Sequence, residues 1–399
     1  MDSHTLQRDA PPVFENRRWR REIVDTTRGN VREGLTITGG RQQGMSERQE
    51  RDLALDMLRG YFLFIIMVDH LRYATNPLYF LSGRQALWVT AAEGFVLVSG
   101  FLVGKLRGAQ ARAQGLRAAS LHLLRRAATL GLWCALLTIL FRTISEATGY
   151  WPEVPNWDEP GRLLDWIGGA LVLRRTYGDH NLLAAYALFM AAAPLALYAM
   201  LRRRTLVFLG ASALIWAVSF RYHLRWSSSV QADASWQFLF ALGMAGGFHA
   251  DRLSRRWSAL SPAGRRAILG AAGALSVAIL VGSAVRTLVP ESARPRLEIW
   301  LFDTERAGPA RIACAIVLIG SMYALFRAFQ DKLLPTLGKL LVPLGQSSLY
   351  VYIVQSLLTF VLVNRTMASP WLALVSNLAM VALVWLLVKN RVLFGIIPR

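Results

Sequence analysis

Residues 55–74 read LDMLRGYFLFIIMVDHLRYA. Its centre is an unbroken apolar run, and about 20 residues of helix match the hydrocarbon thickness of a bilayer. Ionisable groups flank that run: Asp56 and Arg59 before it, Asp69 and His70 after it. Charges inside a span are costly, face the interior of a bundle and mark functional sites by default. Arg59 and His70 are eleven positions apart. At about 100° per residue they fall within about 20° of the same helix face, roughly 16 Å apart along the axis.

Nine further blocks of similar character follow, at about 86–104, 123–142, 181–201, 205–220, 234–250, 266–288, 309–327, 343–363 and 370–389. Of the 399 residues, 54% are hydrophobic and only 18% charged, less charge than a soluble chain of this length carries. The reading is an all-α polytopic membrane protein with about ten transmembrane helices. Several blocks hold small residues, such as Gly100 and Gly104 or Gly243, Gly246 and Gly247, which let helices approach closely in lipid. Residues 163–173 are apolar but too short to cross, and suit an interfacial or re-entrant segment. Residues 1–50 contain no apolar run and read as a disordered basic cytoplasmic tail, in which Arg17, Arg18, Arg20 and Arg21 can meet anionic headgroups. The membrane domain then runs from 51 to 399.

The net charge of +20 raises the question of nucleic acid. Its distribution argues against that partner, because the 45 Lys and Arg residues form short clusters between apolar blocks rather than one basic face. Membrane insertion explains the excess, since basic residues are retained on the cytoplasmic side. With the N-terminus inside, the inner loops hold Lys105, Arg107, Arg112, Arg117, Arg125 and Arg126, then Arg202–Arg204, then Arg252, Arg255, Arg256, Arg265 and Arg266. Arg327, Lys332 and Lys339 come next, and Lys389, Arg391 and Arg399 close the chain. The outer loops keep fewer cations over greater length, together with acids such as Glu153, Asp158, Glu298 and Glu305. Ten spans with both termini cytoplasmic satisfy the rule. The two cysteines, Cys134 and Cys314, lie inside apolar blocks without metal-ligand spacing and read as buried thiols, so no metal is expected. The outer loops also carry Trp151, Trp157, Trp166, Tyr177 and Trp300, rings that anchor an interface or stack on sugars.

A histidine in the outer half of a span suits activation of a hydroxyl. Glu93, entering from the outer side to a depth comparable with His70, and Asp69, adjacent in sequence but pointing about 100° away, are the carboxylates available to orient that imidazole; the plainer readings are that His70 caps its helix and that Glu93 pairs structurally with an arginine. An arginine near the cytoplasmic boundary suits a phosphate-bearing ligand. Together they describe a protein that takes an activated group from a cytoplasmic phosphate-containing donor and delivers it to an acceptor outside.

The stretches 55–60 (LDMLRG) with Asp69-His70, 92–101 (AEGFVLVSGF), 180–186 (HNLLAAY) with Pro194, 236–243 (WQFLFALG) and 344–350 (LGQSSLY) resemble the OpgC-type membrane acyltransferases, in order from about residue 50 to 390. The first two are fairly specific together. The broad acyltransferase-3 group shares an arginine, ten residues, then a histidine, which Arg59 and His70 match. His180 departs from the pattern, standing where an apolar residue is expected. The resemblance implies a ten-helix inner-membrane enzyme that moves an acyl group, succinyl in the associated members, from acyl-CoA to an osmoregulated periplasmic glucan. On that reading Arg59, Arg125 and Arg126 bind the phosphates of CoA, His70 is the base or a transient acyl carrier, and Glu93 or Asp69 orients it. Gln237, Ser348, Tyr350 and Gln355 are polar in-span residues that either line the path or bond helix to helix. A transporter or exporter of a glycan or small anion is the alternative, although no internal repeat relates the two halves. A scaffold for glycan-synthesis proteins is a third.

Overall fold

The computed structural model describes residues 52–71, 76–83, 86–149, 163–176, 181–222, 224, 234–362 and 369–398. The expected N-terminal tail, Trp151, Trp157, Tyr177 and His180 lie outside these. Among the described residues the chain is all-helical, without strands.

Local chemistry sets the helix starts. α1, Leu53–His70, begins at Asp52, whose side chain accepts from the Leu55 N–H at 3.3 Å. A short α2, Tyr79–Ser82, precedes α3, Ala91–Gln114, which opens on a capping box of Thr90 and Glu93. Gly115, at φ 87°, turns α3 directly into α4, Leu116–Thr148. The apolar segment after it forms only a short helix, α5, Leu163–Leu171, then come α6, Asn181–Leu201, and α7, Thr205–Tyr222. α8, Gln237–Phe248, stops at His249, and the polar α9, Ala250–Ala259, continues the chain. Ser261 caps α10, Pro262–Arg286; after it come α11, Arg296–Leu301, α12, Pro309–Ala328, and α13, Gln330–Leu333. α14, Gly338–Gln346, and α15, Ser348–Leu362, meet at a bend of 95°, and α16, Pro370–Lys389, closes the bundle.

A helix therefore lies at each of the ten expected blocks, but they are not equally apolar. Six (α4, α6, α7, α10, α12 and α16) are long and apolar enough to cross a membrane, or seven if the bent α14–α15 pair is one span. The count of ten expected from sequence goes beyond this. α1 carries Asp56, Arg59 and Asp69, α3 carries Glu93, Lys105 and Arg107, and α8 is only 12 residues long. α1 and α8 are instead well enclosed, and α3 buries one face. Met57, Leu58, Leu63 and Met67 of α1, Val96 of α3 and Leu239 of α8 are fully buried, whereas α7 and α10 expose most of their apolar surface. The chain is a multi-pass membrane protein with α1 and α3 at its heart.

Two backbone-close crossings set that heart. A Cβ on Gly100 or Gly104 of α3 would collide with the Phe240 or Met244 carbonyl of α8, and one on Gly243 or Gly247 with the Leu97 or Phe101 carbonyl of α3. α1 and α14 repeat the device through Gly60 against Leu341 and Gly345 against Asp56. α4 packs mainly on α6. α1 and α3 are antiparallel: Lys105 reaches Asp52 at 3.9 Å, and Gly94 abuts the Phe62 ring. One end of the bundle is thus marked by Asp52 and Lys105, the other by His70.

Candidate functional site

Arg59, a third of the way along α1, points between helices. One guanidinium nitrogen donates to Ser348 Oγ, in the first turn of α15, and the group lies 5.8 Å from the Phe95 ring of α3. Arg126 of α4 lies within electrostatic reach of Arg59 on one side and of Arg107, which donates to Gln110 at 2.8 Å, on the other. Tyr186 of α6 also lies in reach of Arg59, held by edge contact of its ring with Phe95 and Phe240. Burial lowers the basicity of the Arg107 guanidinium from its usual value. Cations crowded in this way repel one another, and an anion relieves that repulsion. Arg125, the neighbour of Arg126, is exposed on the outside of α4 and stands apart from the cluster.

At the other end of α1, His70 is half-buried and its Nδ1 lies 2.6 Å from the Ile66 carbonyl. A carbonyl oxygen only accepts, so in the neutral ring Nδ1 carries the hydrogen and Nε2 keeps its lone pair. The main chain itself therefore fixes the tautomer that a base requires. Asp69 is half-buried beside it.

Glu93 sits elsewhere. It is fully buried and takes up the Thr90 N–H at 2.9 Å, the Thr90 hydroxyl and the Nε of Arg311, itself 3% exposed, from the first turn of α12. Arg311 also donates to Thr304 Oγ1 at 2.9 Å. Because Gly94 packs on Phe62, Glu93 lies seven to eight residues short of His70 on the α1 scale, about 11 Å along the axis. It is thus deeper than His70, at the junction of α1, α3 and α12, rather than level with it as the sequence suggests.

The in-span polar residues divide. Gln237 bonds helix to helix, accepting from Ser212 Oγ at 2.6 Å and donating to the Ser212 carbonyl at 2.7 Å. Ser348 belongs to the arginine cluster, and Tyr350 packs its ring edge-on to Phe394. Gln355 is fully buried. Of the outer aromatics, Trp166 is buried and Trp300 stands half-exposed against Phe220, with ring centroids 4.9 Å apart. Two tryptophans of the apolar blocks, Trp216 and Trp236, donate their indole N–H groups to the carbonyls of Ala307 and Glu305, so they clamp the loop before α12. Cys134 is buried and Cys314 half-buried; among the described residues no group of three or more His, Cys, Asp or Glu is placed to hold a metal ion.

The sequence profile of the family described as OpgC protein matches residues 51–394, nearly the whole membrane domain. The chain belongs to the OpgC protein family. The match has the extent that the five motifs suggest, and it takes in every helix described above. No curated protein and no solved structure matches the chain.

Sequence reasoning missed Arg107 and Arg311 in this OpgC-family protein. Arg107 reads from sequence as an inner-loop cation, and Arg311 is not singled out there. Arg311 stands two residues inside an expected span, where a charge calls for a partner, and that was the available signal.

Proposed function

We propose that this OpgC-family protein is a membrane O-acyltransferase that moves an acyl group, succinyl by analogy with its family, from cytoplasmic acyl-CoA to a hydroxyl of an extracytoplasmic glycan such as an osmoregulated periplasmic glucan. The family supports a glucan-modifying acyltransferase. The observation that carries the reading is on α1: Arg59 donates to Ser348 within electrostatic reach of Arg126, and on the same face about 16 Å away stands a histidine whose Nδ1 meets a main-chain carbonyl. The proposal includes ten crossings of a bacterial inner membrane with both termini cytoplasmic, which puts the arginines towards the cytoplasm and His70 towards the outside.

Arg59, Arg107 and Arg126 hold the phosphates of CoA in this scheme. The arm that carries the thioester is equivalent to about four residues of extended chain, about 13–14 Å at 3.3–3.6 Å each, which brings the thioester to within about 3 Å of the level of His70 and leaves room for the acceptor hydroxyl between them. His70 Nε2 removes the proton of the acceptor hydroxyl as its oxygen attacks the thioester carbonyl. The tetrahedral intermediate collapses, the C–S bond breaks, and the imidazolium returns the proton to the leaving thiolate. Asp69, next to His70 in the chain, is the remaining carboxylate at this end of α1. Glu93, bound to Arg311 and Thr90, holds the helices that frame the site.

The test is transfer from succinyl-CoA to glucan by the purified chain, with His70→Ala expected to lose about 10²–10⁴-fold. In the same preparation Arg126→Ala weakens CoA binding by about tenfold or more, and exposed Arg125→Ala leaves it within about twofold. Undiminished transfer by His70→Ala removes the base, and equal effects at Arg125 and Arg126 remove the cluster. Uptake of glucan into sealed vesicles without any acyl donor favours a transporter instead.

A further inference from the structure

α15 carries a polar stripe. Ser348, Gln355 and Thr359 are seven and eleven positions apart, within about 20° of one face on either side of Ser348. The helix starts where Ser348 accepts from Arg59 and ends where Phe360 stacks on Phe141 of α4, centroids 4.0 Å apart. Along α4, Phe141 lies fifteen residues beyond Arg126, about 22 Å, in the direction of the His70 end. The stripe therefore leads from the arginine cluster towards the end of the bundle that holds His70.

Gln355 is 0% exposed, and neither Nε2 nor Oε1 of its amide meets a hydrogen-bond partner among the described residues. Thr359, 3% exposed, leaves its Oγ1 in the same condition one turn further on. Ser356, on the neighbouring face, shows the ordinary alternative by donating to the Tyr352 carbonyl. A buried amide with both atoms unmatched is costly, and such groups call for an explanation. Leucine would fill the same space at no such cost.

We propose that Gln355, with Thr359, is a subsite for the amides of the acyl donor's arm. This rests on the acyl-CoA reading above. Between the diphosphate and the sulfur, CoA carries two secondary amides, each with one N–H and one C=O. A trans amide turns its N–H and C=O to opposite sides, so Gln355 takes one group from each: Oε1 accepts the N–H of one amide, Nε2 donates to the C=O of the other, and the Thr359 hydroxyl donates to that carbonyl's remaining lone pair. The position is right for that segment, since Gln355 lies seven residues, about 10 Å, beyond Ser348 along α15. The subsite makes the path selective for an amide-bearing arm over a plain alkyl thioester.

The experiment measures binding of two probes to the full chain in detergent: CoA, and adenosine 3′,5′-bisphosphate, which has the nucleotide phosphates but no arm. In Gln355→Leu, CoA binds about tenfold more weakly, the bisphosphate binds as to wild type, and the melting temperature is unchanged or higher because the unmatched amide is gone. Gln355→Met gives the same split should the leucine variant fail to fold. On wild type alone, pantetheine without nucleotide raises the melting temperature. Retained CoA affinity in the variant, equal weakening of both probes, or no shift with pantetheine overturns the subsite. Binding of neither probe to wild type overturns the donor reading as well, whereas weakening of both by Arg126→Ala with CoA affinity kept in Gln355→Leu overturns the subsite alone.

Discussion

A carboxylate three residues into a membrane helix has two competing uses, to close the helix cap and to serve chemistry, and Glu93 is committed to the first. Its oxygens hold Thr90 and Arg311, so α3 and α12 are tied by an ion pair shut away from solvent. Removing one partner of such a pair strands the other as a buried charge. Glu93→Leu and Arg311→Leu should each cost about 3–5 kcal/mol, and the double variant clearly less than their sum, read as melting curves of the purified chain. Singles within about 1 kcal/mol of wild type would show that the pair contributes little. The relation of Arg59 to His70 was legible in the sequence because it lives on one helix, where the 3.6-residue period places both. That Glu93 pairs with an arginine is one of the readings the sequence allows, but not which arginine, because 218 positions separate it from Arg311 and no local rule connects them. The tautomer of His70 needed the structure for another reason: two carboxylates were candidates to orient the ring, and the group at Nδ1 is a main-chain carbonyl of its own helix.

At the scale of elements, glycine decides which helices touch. The four glycines of α3 and α8 and the pair between α1 and α14 face carbonyl oxygens of the opposite helix, whereas a Cβ on Gly270 of α10 would meet nothing. Gly104→Ala or Gly345→Ala must push two helices apart, at a cost of about 1–3 kcal/mol or failure to assemble. Gly270→Ala should be neutral or slightly stabilising, because alanine restricts the unfolded chain. Equal behaviour of the three in a melting series would contradict the crossings. The small residues themselves were visible in the sequence, and so were the ten apolar blocks. The bend at Ser347 was hidden within one expected span, 343–363. Pro343 inside α14, Gly345 against α1 and the serines that follow are the local reasons that this block does not run straight.

For the whole molecule, six helices are strongly apolar, and the proposed ten crossings require α1, α3, α8 and the bent α14–α15 pair to cross as well. α1 and the short α8 are well enclosed and α3 buries one face, with Glu93 answered by Arg311, Lys105 by Asp52 and Gln237 by Ser212, so they need not resemble lipid-facing spans. Crossing number has a simple consequence for the sides of the loops. If α8 crosses, α9 lies on the cytoplasmic side with Arg252, Arg255 and Arg256, and the segment at Ser292 lies outside. If only the six apolar helices cross, α1 and α3 drop out together without effect, α8 drops out alone, and those two segments exchange sides. Ser254 and Ser292 are both exposed, so each can carry a single cysteine once Cys134 and Cys314 are replaced by alanine. With ten crossings, an impermeant maleimide labels Ser292→Cys and Ser369→Cys in cells whose outer membrane alone has been opened, and labels Ser254→Cys only after the inner membrane is broken. Early labelling at Ser254 with protection at Ser292 would mean that α8 does not cross. It would also invert the sides of the basic loops, against the retention of cations in the cytoplasm that makes the ten-helix arrangement the favoured one.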